Sequence, residues 1–222
     1  MRILLINANT SADITAKLVA TAQRLAPPGV TFAGATGRFG ARYIASRAAS
    51  AVAAHAALDA YAEHGADAAA VLIGCFGDPG LDALREVAPV PVLGLADASA
   101  AAAIRVARRF GVVTGGAAWQ PMLEEFFAAR GLAARLAGVR TVAPTGGQIA
   151  ADPEGALAML AEACEASAAQ DGAEAVILGG AGLVGLAAQL ADRVRVPVIC
   201  SVEAGVRAAI AAGGGPRAAL HP

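Results

Sequence analysis

The sequence predicts an α/β protein of two pseudo-symmetric halves, in which each half is a parallel sheet flanked by helices and an active-site cleft lies between them. The first observation behind this prediction is an alternation of short apolar segments with longer alanine-rich segments of helical spacing. Strands that alternate with helices are typical of parallel sheets covered on both faces. The second observation is that one block of the sequence occurs twice.

Short apolar runs bounded by turn residues predict the strands. These runs occupy residues 3–6, 30–33, 69–73, 90–95, 110–113, 137–142, 175–178 and 196–200. Segments rich in alanine, in which apolar residues recur with helical spacing, predict the longer helices. These segments occupy residues 14–25, 46–64, 119–130 and 153–170.

The repeated block reads AVLIGCFGDPGLDALREVAPVPVLGLADASAAAAI at residues 70–104 and AVILGGAGLVGLAAQLADRVRVPVICSVEAGVRAAI at residues 175–210. In this register Cys75 matches Gly180, and the alignment needs a single inserted residue. RILLINANT near the N-terminus also resembles FGVVTGGAA at the head of the second half. Repetition of this kind predicts two similar structural units. The alternative is that any two alanine-rich βαβ units look alike.

The repeat predicts a first half over residues 1–107 and a second half over residues 108–210. A return of the C-terminal chain to the first half is an alternative to this division. Residues 211–222 are rich in glycine and proline without periodicity, and we expect a flexible tail there. The interface between similar halves is a natural place for a ligand cleft.

The composition points to a small-molecule partner. Seventeen basic residues face 18 acidic ones, giving a formal net charge of −1, so no electrostatic footprint for nucleic acid or an anionic membrane is present. No apolar stretch reaches the length of about 18 residues that a membrane-spanning helix needs. Three scattered cysteines without a CxxC pair argue against a disulfide framework or a metal site. We expect a cytoplasmic protein that forms homo-oligomers.

Cys75 is the first candidate for chemistry, because it ends a buried strand in VLIGCFGDPGLDAL. Asp78 is a suitable N-cap and Pro79 a suitable first helical residue, which predicts a helix that continues through residue 87. The thiol would then lie within about a turn of a helix N-terminus, where the helix dipole lowers a cysteine pKa and favours the thiolate. The alternative is a cysteine that only packs in the core.

Four segments carry a resemblance to a known family: NANTS at residues 7–11, ARYIASRAA at 41–49, CFGDPGLDA at 75–83 and LGGAGLVGL at 178–186. They resemble the aspartate/glutamate/hydantoin racemase superfamily, and most of all its hydantoin racemase branch. The resemblance implies an enzyme without an organic cofactor or metal. It also implies a small substrate between two α/β halves, and a proton moved between the faces of a carbon beside a carbonyl by two cysteines.

The sequence departs from the family pattern where the second cysteine is expected, because Gly180 stands there. One explanation is a degenerate copy that no longer catalyses a reaction. The other is a reaction that needs only one acid, and the arylmalonate decarboxylases, which share the fold and keep one cysteine in the second half, offer a precedent. Cys200 ends the next strand and is a candidate second acid, or else it packs in the core. Cys164 lies inside a predicted helix and is assigned to the core.

Further candidates line the expected cleft. Asn9 and Thr10 follow the first strand and could bind a substrate carboxylate, whereas Thr10 or Ser11 could equally be only the N-cap of the next helix. Tyr43 is a candidate donor to a developing oxyanion, by the family resemblance, with an ordinary half-buried tyrosine as the alternative. The complete set of predicted substrate-binding residues is Asn9, Thr10, Tyr43, Phe76, Gly77, Thr114, Gly180 and Ala181.

The predicted function is therefore a cofactor-independent racemase or epimerase. It acts on the carbon beside a carbonyl in a small hydantoin or amino-acid-like carboxylate, with Cys75 as acid and base. The first alternative is a decarboxylase of a malonate-like acid in which Cys75 alone returns the proton. The second alternative is a ligand-binding pseudoenzyme that kept the cleft and lost the chemistry.

Overall fold

A computed structural model of the chain describes residues 1–214, and the prediction of an α/β fold with two similar halves is confirmed. The strands form two parallel sheets and correspond to the apolar runs of the sequence. They are β1 (Arg2–Asn7), β2 (Thr31–Thr36), β3 (Ala70–Ile73), β4 (Val92–Gly94), β5 (Phe110–Gly115), β6 (Leu136–Val142), β7 (Ala175–Gly179) and β8 (Val198–Cys200).

The helices include the four long ones expected from alanine-rich periodicity and the one expected to end at residue 87. They are α1 (Ala12–Leu25), α2 (Arg47–His64), α3 (Leu81–Val87), α4 (Leu95–Ala103), α5 (Trp119–Ala129), α6 (Gly146–Ala151), α7 (Pro153–Asp171), α8 (Leu186–Leu190) and α9 (Ser201–Gly213). A single 3₁₀ turn, Ala181–Leu183, lies between β7 and α8 in the described residues.

Both sheets have the same topology, as the repeated block of sequence predicts. The first has the strand order β2-β1-β3-β4 and the second has the order β6-β5-β7-β8, with every neighbouring pair parallel. In both, the first strand of the half lies inside the sheet between its second and third strands. The repeat in the sequence therefore corresponds to a repeat in the strand order.

The central strands are apolar along their whole length because helices cover both of their faces. No side chain from Ile3 to Ile6 in β1 is exposed, and every residue of β3, β5 and β7 is buried. Alanine lets the helices approach the sheet closely. In α2 the buried residues are all alanines, at positions that fall on one face of the helix: Ala53, Ala56, Ala57 and Ala60.

The described chain divides into two compact units. The first comprises Met1–Asp97 together with residues 202–214, and the second comprises Ala98–Ser201. The boundary therefore falls inside α4, whereas the sequence repeat places it after residue 107, and the last helix belongs to the first unit. Helix α9 also continues through Gly213, so residues 211–213 are helical and not part of a tail. Residues 215–222 of the predicted tail lie outside the described residues.

Within residues 1–214, every helix is too short or too polar to cross a bilayer. The parallel arrangement has another consequence for function. All strands of a sheet end at the same edge, and ligands of open α/β sheets bind outside that carboxyl edge. Asn7 ends β1 at this edge of the first sheet, and Cys75 follows β3 there. Gly180 and Cys200 occupy the corresponding edge of the second sheet.

Candidate active site

The turn that carries Cys75 is built from residues that tolerate unusual backbone angles. Gly77, Asp78 and Gly80 all have positive φ, at 97°, 50° and 83°. Asp78 is the one non-glycine residue with positive φ among residues 1–214, and aspartate is one of the few side chains that visit this region. The amide of Asp78 donates to the carbonyl oxygen of Cys75 at 3.1 Å, which closes the turn.

The predicted role of Asp78 and Pro79 as the start of a helix is wrong. Helix α3 begins only at Leu81, after Gly80 as its N-cap residue. The carboxylate of Asp78 caps a different helix, because it accepts hydrogen bonds from the backbone amides of Ala96 at 2.9 Å and Asp97 at 2.8 Å, in the first turn of α4. A carboxylate at this place is stabilised by the helix dipole as well as by the two donors.

The expected lowering of the Cys75 pKa is also corrected. Cys75 is 9% exposed, and burial raises the pKa of its thiol to about 12, with the negative charge of Asp78 acting in the same direction. Helix α3 does not counter these effects, because it starts well beyond the thiol and is short. A thiol with this pKa is protonated at neutral pH.

The loop after β1 is organised by two asparagines. The amide nitrogen of buried Asn7 donates to the side-chain oxygen of Asn9 at 2.8 Å, the carbonyl oxygen of Ser11 at 3.0 Å and the hydroxyl oxygen of Thr15 at 3.0 Å. The same Asn9 oxygen accepts from the amide of Ser11. The amide nitrogen of Asn9 and the hydroxyl of Thr10 make no hydrogen bond within residues 1–214. Both are thus available to a ligand.

Two of the predicted ligand segments are brought together here. The amide of Thr10 donates to the carbonyl oxygen of Ala41 at 3.2 Å, which ties the loop after β1 to the loop of Tyr43. Tyr43 itself is half-buried and precedes the buried Ile44. Ser11 occupies the N-cap position of α1 but its side chain makes no capping hydrogen bond. Capping thus does not account for the hydroxyl groups of this loop.

The remaining first-unit candidates flank the thiol. Phe76 is 4% exposed, and its carbonyl oxygen lies 3.8 Å from the sulfur of Cys75. Gly77 is half-buried and has the positive φ that the turn needs.

Gly180, the second-unit position that matches Cys75, has a backbone that disfavours a side chain. Its φ is +134°, and a Cβ atom there would lie 3.1 Å from a methyl carbon of Leu183 and 3.8 Å from the hydroxyl oxygen of Thr114. Its amide donates to the hydroxyl oxygen of Ser201 at 3.2 Å. Thr114 is 5% exposed in β5, and Ala181 begins the 3₁₀ turn. The second unit therefore gathers hydroxyl groups, and not a thiol, around this position.

The other two cysteines differ in placement. Cys200 is the last residue of β8, pairs with Leu178 of β7 and is 7% exposed, so it lies one strand away from Gly180. Its role as a second acid stays a prediction. Cys164 is completely buried in α7, where burial raises its pKa to about 12, and its assignment to the core agrees with this position.

Sequence reasoning missed Asn7 and Ser201. It also missed that Asp78 lies against Gly94. A signal for this contact was present in the repeat, where Asp78 matches Leu183 and Gly94 matches Cys200. The residue pair that differs between the halves is the pair that meets in the first unit. Asn7 and Ser201 gave no such signal in the repeat.

Two parallel sheets of identical strand order, with a buried thiol after the third strand of one of them, agree with the α/β fold that the resemblance to the racemase superfamily implies. Comparison with known proteins agrees. The chain belongs to the Asp/Glu/hydantoin racemase family, whose model matches residues 3–209. It is 36% identical over 213 residues to a hydantoin racemase of Paenarthrobacter aurescens, covering 94% of this chain and 89% of that protein.

Solved structures give the same result. An allantoin racemase from Pseudomonas fluorescens superposes with a TM-score of 0.91 at 32% identity, covering 95% of this chain and 90% of that one. An allantoin racemase from Klebsiella pneumoniae superposes with a TM-score of 0.86 at 33% identity, covering 95% and 86%. Arylmalonate decarboxylase, at a TM-score of 0.69 and 19% identity over 97% and 93%, shares the fold alone. The protein is thus a racemase-like isomerase.

Proposed function

We propose that this protein racemises 5-substituted hydantoins, with Cys75 as the residue that exchanges a proton with the ring carbon. Two similar proteins are named for hydantoin and allantoin, and both compounds contain the hydantoin ring, in which one carbon lies between a carbonyl and a nitrogen. The observation that carries the proposal is the buried thiol of Cys75 at the carboxyl edge of the first sheet.

The proposed reaction is a proton transfer in two steps. The thiolate of Cys75 takes the proton from the ring carbon, and the electron pair of the broken C–H bond moves onto the adjacent carbonyl as an enolate. For inversion, a proton from water then reaches the opposite face of the carbon, the carbonyl re-forms, and Cys75 releases the abstracted proton to solvent, so no redox partner is consumed. The high pKa of the thiol, about 12, makes Cys75 a strong base in the small fraction that is ionised.

Substrate binding is assigned first to two polar groups of the loop after β1. We assign the amide nitrogen of Asn9 and the hydroxyl of Thr10 to the carbonyl oxygens of the ring, because both are hydrogen-bond donors without an internal acceptor. Tyr43, whose loop is tied to Thr10, is proposed as a further donor to the developing oxyanion. Phe76 and Gly77 would contact the ring beside the thiol, whereas Thr114, Gly180 and Ala181 stay predictions of the sequence.

A second candidate function is favoured by the protonation state of Cys75 and by the absence of a thiol at Gly180. In the decarboxylation of a malonate-like acid, loss of carbon dioxide generates the enolate, and one protonated thiol then delivers a proton to the carbon. A thiol with a pKa of about 12 is already in the state that this reaction needs.

Three measurements separate the two functions. An optically pure 5-substituted hydantoin is incubated in deuterated water, with deuterium at the ring carbon followed by NMR and inversion followed by polarimetry. The racemase proposal expects both signals with the parent protein and neither with Cys75→Ser, while Cys164→Ala keeps both. Carbon dioxide release from a disubstituted malonate, without hydantoin exchange, would replace the racemase proposal by the decarboxylase. Neither reaction at millimolar substrate would reject both.

A further inference from the structure

The carboxylate of Asp78 is the part of the first unit whose purpose the proposed reaction leaves open. Asp78 is 4% exposed, and its two oxygens accept from the amides of Ala96 and Asp97. A buried charge is costly unless it is compensated by hydrogen bonds, and these two donors at a helix N-terminus provide that compensation. The residue therefore joins the Cys75 turn to the first turn of α4.

Gly94, the last residue of β4, lies so close to this carboxylate that a side chain would not fit at position 94. A Cβ atom at position 94 would lie 2.1 Å from one oxygen of Asp78 and 2.2 Å from its carboxyl carbon. Any larger residue at position 94 would displace the carboxylate from the amides of α4. Asp78 and Gly94 thus form a matched pair, in which the glycine provides the space that the charged group occupies.

The second unit makes the corresponding strand-to-helix connection with a different turn and without such a pair. In the repeat, Leu183 stands at the place of Asp78 and Cys200 at the place of Gly94. Gly185 still precedes α8 with a φ of 86°, as Gly80 precedes α3 with a φ of 83°. The backbone between these points differs, because Gly77 and Asp78 have positive φ whereas the matching Gly182 and Leu183 do not and residues 181–183 form a 3₁₀ turn. The pair is present in the half that carries the thiol and absent from the half that lacks it.

We propose that Asp78 is a positioning residue for Cys75, fixing the place of the thiol by tying its turn to the N-terminus of α4. Asp78 makes both connections itself. Its amide donates to the carbonyl oxygen of Cys75, and its carboxylate accepts from two amides in the first turn of α4. A thiol held in this way meets the reacting carbon in one orientation. The negative charge of Asp78 also contributes to the raised pKa of Cys75.

Other charged groups of the neighbouring helices are compensated or exposed. Asp97 pairs with Arg85 at 2.7 Å, and both of these side chains are partly exposed. Asp82, in the first turn of α3, is exposed. Burial comes first and the charge of Asp78 second among the causes of the high Cys75 pKa. Removing that one charge is therefore expected to lower the pKa without restoring an ordinary value.

The test uses two variants of the full chain that disturb the pair differently. Asp78→Asn removes the charge and keeps the shape, whereas Gly94→Ala keeps the charge and displaces it. Asp82→Asn removes an exposed charge from the same segment and is the matched control. Each protein is assayed for turnover of an optically pure 5-substituted hydantoin and for the pH dependence of iodoacetamide alkylation at Cys75, identified by peptide mass.

The proposal expects kcat to fall about 10²-fold in both variants with a smaller change in KM, since a misplaced catalytic group costs about that much. Alkylation of Asp78→Asn at pH 8 should be at least about threefold faster than in the parent, because more thiolate is present. Asp82→Asn should match the parent in both assays. A lower melting temperature with parental kcat and a parental alkylation profile in both variants would reduce Asp78 to a helix cap.

The inference rests on the proposed use of Cys75 in catalysis, but the two can fail separately. If the parent turns over no hydantoin or malonate, the proposed function fails, and the alkylation profiles still report whether Asp78 controls the thiol. If the parent is active and Asp78→Asn and Gly94→Ala are as active as it is, the proposed function stands and the positioning role is rejected.

Discussion

Replacement of Gly180 by cysteine would restore the thiol that the family pattern leads one to expect, and the structure predicts what this costs. Gly180 has a φ of +134° and a ψ of 139°, a region that is almost confined to glycine. Holding another residue there costs about 1–3 kcal/mol. The Cβ atom would also press on Leu183 at 3.1 Å, which requires a shift of a few tenths of an ångström.

For a chain of this length, each kcal/mol lowers the melting temperature by about 2–4 °C. Gly180→Cys should therefore melt about 2–12 °C below the parent in a thermal unfolding scan. Gly180→Ala carries the same backbone strain without a thiol and should lose a similar amount. A Gly180→Ala protein as stable as the parent would show that the positive φ is not maintained, and the strain argument would be refuted.

Gly180→Cys and Gly180→Ala should have similar stability, but they should differ in the ratio of inversion to deuterium exchange. With one thiol, the intermediate must recover its proton from the same side or from water, so deuterium exchange should outrun inversion in the parent. Gly180→Cys should raise inversion relative to exchange, and Gly180→Ala should leave the ratio unchanged. If the ratio is the same in all three proteins, the pairing of Gly180 with Cys75 that the repeat predicts is wrong. Equal exchange and inversion in the parent would point to Cys200 as an existing second acid.

Three further outcomes are expected. Cys75→Ser should lower turnover by about 10²–10⁴-fold in the exchange assay, which is the usual contribution of general acid–base catalysis. Cys200→Ser should lower inversion if Cys200 is a second acid and should leave it unchanged if Cys200 only packs in the core. Because the Cys75 pKa is about 12, the rate of racemisation that starts from the thiolate should rise about tenfold per pH unit between pH 6 and 9. The rate of decarboxylation that uses the thiol should not change over this range. A bell-shaped pH–rate profile centred near pH 7 would contradict the raised pKa. Asn7→Leu should lower the free energy of unfolding in urea by about 1–3 kcal/mol, since it removes the donor shared by Asn9, Ser11 and Thr15, and an unchanged urea midpoint would contradict this.

The fold could be predicted from the sequence because its signals are local. Central strands of parallel sheets are apolar throughout, and runs such as residues 3–6 and 175–178 stand out for that reason. The repeat then identified which strands correspond, and the common strand order follows from it. Helix α4 was less visible, because its first residue continues the apolar run of β4 and periodicity does not show where a strand becomes a helix.

The thiol could be located from the sequence, but its pKa could not be predicted. An Asp-Pro pair after a strand is a good helix start by local rules, and those rules assign Asp78 to the nearest helix. The chain instead uses a left-handed residue at Asp78 to turn the carboxylate towards α4, a contact made 18 residues further along the sequence. Local rules identify the capping residue, but they do not identify the helix that it caps. The pKa was mispredicted mainly because burial of the thiol raises it, and the nearby charge of Asp78 adds to this effect.

The two halves thus differ at the position of the proposed catalytic thiol and around it. The first retains the thiol, the carboxylate that holds its turn and the glycine that makes room for the carboxylate, namely Cys75, Asp78 and Gly94. The second has a glycine, a leucine and a cysteine at the matching positions. Reversal of any one change would not restore a working second site, because a thiol at Gly180 would have no carboxylate to position it. Inversion gained by Gly180→Cys alone should therefore remain below the rate of exchange, whereas full equality would show that a positioning carboxylate is dispensable.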